Sequence, residues 1–77
     1  MKTLKLEVVV KNVELAREIA AKSKVTIVSE KLIRVCTLMV LEGDFDCLID
    51  FNDDFFFEAN RELHANYFKE IMALEAK

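Results

Sequence analysis

A chain of 77 residues with no proline and a single glycine, Gly43, offers the backbone almost nowhere to break. Linkers draw on glycine, proline and serine for reach or stiffness, and no such stretch interrupts the sequence. Residues 1–77 are therefore expected to form a single compact domain, without internal repeats or low-complexity segments. At this length only about 60% of the unfolded chain's surface can be buried, so turns must be short and the core dense. Apolar residues make up 53% of the chain, enough to offset the entropy of ordering it.

Hydrophobic periodicity predicts the elements. In "TLKLEVVV" Leu4, Leu6, Val8 and Val10 alternate with Thr3, Lys5, Glu7 and Val9, the two-residue period of a strand with one buried face. Asn12 can cap a helix over "VELAREIAAKSK", with Leu15, Ala16, Ile19 and Ala20 on its inner face. "KVTIVS" (24–29) and "KLIRVCTLMVL" (31–41) are rich in β-branched residues, which favours strands. Consecutive apolar sites in the second also fit a buried helix starting from a Ser29 cap.

"EGD", residues 42–44, holds the sole glycine, and Gly43 is expected to supply the positive φ of a hairpin turn. "FDCLIDF" would then return as a strand, placing Cys36 opposite residue 49, 50 or 51 and away from Cys47. From Asn52 or Asp53 onward the period is helical, with aspartates near the helix start, where the dipole favours negative charge. The expected fold is an α+β two-layer sandwich of order β-α-β-β-β-α, its antiparallel-rich sheet covered on one face by two helices.

The last helix carries too much apolar surface for that arrangement. At about 100° per residue, Phe56, Leu63, Tyr67, Ile71, Leu74, His64, Phe57, Phe68 and Met72 cover about half of its circumference. One sheet face needs an arc of only about 100°. The surplus, Phe57, Phe68 and Met72 with Arg61 beside them, either packs against the first helix or meets a partner. His64, the only histidine, falls within the apolar arc and is expected to be packed and hydrogen-bonded.

Chemistry-bearing patterns are sparse. No GxSxG, HExxH or phosphate-cradling glycine loop is present. Cys36 and Cys47 stand eleven apart without a CxxC, and one histidine cannot complete a zinc quartet with them. Counting from Asp44, the calcium-loop positions 5, 6 and 12 hold Leu48, Ile49 and Phe55, where oxygen ligands and a glycine are required. The expectation is a protein without enzymatic activity, metal or cofactor. It is also expected to be cytoplasmic, because no apolar run reaches membrane-spanning length and the first residues lack a signal-peptide core.

Charge divides the chain. Residues 1–34 hold eight Lys/Arg against four Glu, and residues 35–77 hold three against ten Asp/Glu. An acidic surface disfavours phosphate and favours a basic partner. The leading expectation is thus a small protein-interaction module using Asp44, Asp46, Asp50, Asp53, Asp54, Phe57, Glu58, Arg61, Phe68 and Met72. A sharper form is a phage or mobile-element inhibitor whose carboxylates enter the phosphate-binding groove of a nucleic-acid enzyme. The alternative is a homo-oligomer, such as a homodimer, assembled through the Phe/Met face of the C-terminal helix. Direct nucleic-acid binding would fall to Lys2, Lys5, Lys11, Lys22, Lys24, Lys31 and Arg34, which have no stacking aromatic among them.

Overall fold

The computed structural model describes residues 3–76. Its elements are β1 (Leu4–Val10), α1 (Val13–Lys22), β2 (Thr26–Ile33), β3 (Cys36–Gly43), α2 (Phe45–Phe56) and α3 (Arg61–Ala76). The fold is α+β, with one antiparallel sheet ordered β1-β3-β2. The order is β-α-β-β-α-α, which corrects three expectations.

The first correction concerns residues 45–51, which are helical instead of forming a fourth strand. β3 already has β1 on one side and β2 on the other, so a strand returning from it would find no free edge. Asp44 redirects the chain: its carboxylate accepts the Cys47 N–H at 2.8 Å and caps α2. That bond holds the Asp44 carboxyl below its ordinary pKa. Asp44 also pushes the Cys47 thiol up, keeping it protonated near neutrality. Both cysteines are free thiols, and Cys36 pairs with Ile33, not with a residue near 50.

The second correction concerns the turns. Residues 31–41 are neither one strand nor a helix, because the chain reverses at Arg34 and Val35 between β2 and β3. Arg34 takes φ 57 there. A positive φ at the first loop position is ordinarily supplied by glycine. Gly43 itself has no positive φ and serves as the last residue of β3. A Cβ at Gly43 would meet Cys47 Cβ and Val25 Cγ2 at 3.5 Å, ordinary contact. Gly43→Ala should therefore be neutral or stabilise by about 0.4–1 kcal/mol through the unfolded state. A loss above about 1 kcal/mol in urea unfolding would contradict this geometry.

The single long helix expected after residue 52 is broken as well. α2 ends at Phe56, and the Asn60 side chain accepts the Leu63 N–H at 3.1 Å to cap a new helix, α3. Asparagine offers the backbone this local bond in place of helical continuation.

β1 and α1 form as expected, except that Leu15 of α1 is exposed instead of facing the core. Leu4, Leu6, Val8 and Val10 are buried, and Asn12 accepts the Leu15 N–H at 3.1 Å. They share one core with Ala16, Ile19, Met39, Leu41, Leu48, Phe51, Phe56, Tyr67 and Ile71. α3 guards the free edge of β1, where the Val9 N–H donates to Tyr67 Oη at 3.0 Å, so that edge is not open to pairing. Arg17 on α1 grips Glu30 on β2 through two bonds of 2.7 and 3.1 Å. Each partner favours the other's charged form, raising the arginine pKa and lowering the glutamate pKa.

Candidate functional site

The outer face of α2 is a stripe of carboxylates. Asp46, Asp50, Asp53 and Asp54 are all exposed and recur at i, i+4, i+7 and i+8, which places them on one side of a helix. Their positions along the axis differ in energy. Asp44 and Asp46 sit at the positive N-terminal end, where carboxylates are favoured. Asp53 and Asp54 occupy the last turn, not the first turn expected from the sequence, and no basic residue in that turn compensates them. Glu58 follows directly in the turn toward α3.

At this end the residues enclose an open cleft of about 550 Å³, lined by Leu15, Asp53, Asp54, Phe55, Phe57, Glu58 and Ala59. Four residues expected to bind a partner, Asp53, Asp54, Phe57 and Glu58, are thereby brought together. Its lining mixes the apolar side chains of Leu15, Phe55, Phe57 and Ala59 with the carboxylates of Asp53, Asp54 and Glu58, and all of these residues except Phe55 are exposed. Among the described residues no group of three His, Cys, Asp or Glu side chains converges as a metal ion would require.

Neighbouring residues hold the cleft in place. Asp53 Oδ1 lies 2.7 Å from His64 Nε2, linking α2 to α3. The carboxylate facing His64 thus comes from another helix, whereas its own helix offered only Asn60 and Phe68. The His64 ring meets Phe57 edge-on at 5.1 Å, and the Arg61 guanidinium stands 5.3 Å from the centre of the Phe57 ring, within cation–π range. Asn52, buried between the helices, donates to the His64 carbonyl at 3.0 Å.

A second, more apolar trough of about 530 Å³ adjoins the cleft and shares Leu15, Phe55 and Ala59 with it. Val10, Phe56, Leu63 and Tyr67 also line it, as does Cys36 beside the turn of the β2–β3 hairpin. Phe55 anchors the shared wall, stacked on Phe51 at 5.5 Å and edge-on to Phe56 at 4.7 Å.

The other expected site residues lie outside the cleft. Asp44 is committed to capping α2, while Asp46 and Asp50 extend the acidic stripe toward the opposite end of the helix. Phe68 and Met72 follow His64 at four-residue steps along α3 and are 41% and 47% exposed; Phe57 is 46% exposed. The first helix leaves this surplus apolar face uncovered. Leu15, Phe55 and Ala59 escaped the sequence reading, since Leu15 was assigned to the buried face of α1 and is in fact exposed. Among the described residues no helix is long and apolar enough to cross a membrane. Comparisons with protein-family models, curated proteins and solved structures return no match for this chain.

Proposed function

We propose that this protein is a non-enzymatic interaction module whose acidic, aromatic-lined cleft takes a basic side chain from an apolar segment of a protein partner. One observation carries the reading: beside Asp53, which is bonded to His64, Asp54 and Glu58 stand at the negative end of α2 without an ion-pair partner among the described residues and without a basic residue in its last turn. Carboxylates so placed oppose the helix dipole, each by about 0.3–1 kcal/mol when exposed. An incoming cation relieves that repulsion. Its aliphatic stem meets Leu15 and Phe55, and its charge meets the carboxylates.

Asp46 and Asp50 lengthen the acidic surface, which suits a partner groove built to attract phosphate. This supports the sharper reading of an inhibitor, of phage or mobile-element type, acting on a nucleic-acid enzyme. The free thiols of Cys36 and Cys47 fit a reducing, cytoplasmic setting.

Fluorescence anisotropy with a short labelled peptide of alternating leucine and arginine tests the cleft. Binding should weaken steeply as salt is raised, and Asp54→Asn with Glu58→Gln should weaken it by about tenfold, the equivalent of 1.4 kcal/mol. Salt-independent binding that ignores both substitutions would refute the reading.

The exposed Phe57, Phe68 and Met72 support a second reading, self-assembly through the α3 face. In that case Phe68→Asp with Met72→Asp should convert an oligomer into a monomer, as read by light scattering.

A further inference from the structure

The basic, apolar segment that suits this cleft is present in the chain itself. The β2–β3 hairpin ends in Lys31, Leu32, Ile33, Arg34 and Val35, two cations among three aliphatic residues. Val35 and Leu32 are 83% and 76% exposed, more than the other large apolar side chains left uncovered. Neither Lys31 nor Arg34 forms an ion pair with another described residue, and neither do Asp54 and Glu58. The tip is also conformationally costly, because Arg34 holds φ 57 where glycine would be unstrained.

We infer that the cleft receives the hairpin tip of a second copy of this chain, the two copies exchanging tips across a two-fold axis. The inference rests on the cleft being a site for a basic segment, and it names the occupant.

Placement and charge both argue for it. Cys36, next to Val35, lines the trough that shares Leu15, Phe55 and Ala59 with the cleft, so tip and cleft flank one continuous apolar surface. Surfaces adjacent on one protomer can be matched reciprocally by a two-fold, which closes the assembly at a dimer instead of propagating a fibre. Thr37 lies opposite both Val10 and Leu32 in the sheet, which puts Leu32 on the same face as the buried Val10. Directly opposed residues of antiparallel strands share a face, so Leu32 overhangs on the helix-covered side, toward the trough. Across each contact Arg34, at the turn, meets Asp54 and Glu58, while Lys31, opposite Leu38, lies on the other face of the hairpin from Leu32 and Asp53 stays bonded to His64. Any other basic partner competes with this exchange, making the dimer the self-blocked form of the cleft.

Sedimentation velocity on the full chain, at low and high salt, tests the exchange. The wild-type chain should be a dimer at low salt and dissociate as salt rises. Arg34→Gly suits the backbone at that position and so should fold, yet its dimer constant should weaken by more than about tenfold. Asp54→Lys with Glu58→Lys should do the same. Adding Arg34→Glu to that pair should restore the dimer by reversing the charges on both sides.

A wild-type chain that stays monomeric at all concentrations would overturn the exchange. If that monomer still binds the leucine–arginine peptide through Asp54 and Glu58, the cleft reading survives alone; if it does not, both fall. A dimer indifferent to Arg34→Gly but lost on Phe68→Asp with Met72→Asp would also overturn the exchange and locate the interface on α3.

Discussion

Phe51→Ala should remove a large share of the protein's stability. The ring is fully buried on α2, stacked on Phe55 and edge-on to Phe56 at 6.5 Å. Truncating a buried phenylalanine costs about 3–5 kcal/mol, part from lost transfer energy and part from the cavity left behind. A domain of this length is stable by about 4–12 kcal/mol, at 0.05–0.15 kcal/mol per residue. With a urea slope near 1 kcal/mol per molar for a small protein, the unfolding midpoint should fall by about 3 M or more. The loss would reach beyond the core, since Phe55 forms the wall common to the cleft and the trough and leans on Phe51. A loss below about 1 kcal/mol would mean that this core is not packed as described.

Asp50→Pro should be nearly as damaging, although Asp50 lies in solvent on the outer face of α2. Proline there removes the N–H that bonds the preceding turn and clashes with the carbonyl four residues back, at about 3 kcal/mol or more. Asp50→Ala leaves the backbone intact and should change stability by no more than about 0.5 kcal/mol. The contrast separates helix from strand at 45–51, because an edge strand tolerates proline on its solvent side. Urea unfolding of the two variants reads it directly. Equal, small effects would return this segment to a strand, and with it would go the position of Asp53, Asp54 and Phe57 at the end of α2.

Segment 45–51 also shows where sequence reading loses its grip. Phe45, Cys47, Ile49 and Phe51 recur with a period of two. Phe45, Leu48, Ile49, Asn52, Phe55 and Phe56 recur at i, i+3, i+4, i+7, i+10 and i+11, a helical stripe beginning seven residues before Asn52. The expected strand follows the first pattern alone, whereas the second pattern and the Asp44 cap are the ones the fold adopts. Local sequence does not choose between them. The vacancy for another strand decides, and β1 and β2 have filled both sides of β3.

The hairpin turn was hidden for a related reason. Arg34 and Val35 lack turn chemistry, and Arg34 adopts a positive φ because strand pairing on either side requires a reversal there, against its own preference. The lone glycine, the natural suspect, is needed for no special φ.

By itself the sequence determined the alternating strand β1, the Asn12-capped α1, the α+β class and the helical character from Asn52 onward, with its mixture of carboxylates and rings. Each of these follows from side-chain spacing and local hydrogen bonding within a few residues. Only the tertiary structure decided that Asp53 and Asp54 stand at the wrong end of a helix for their charge and share a cleft with Leu15 and Phe55 from two elements. It likewise decided that an apolar, basic hairpin tip lies beside them. Those juxtapositions depend on which edges and faces remain free once the sheet has formed, a condition set by the whole chain.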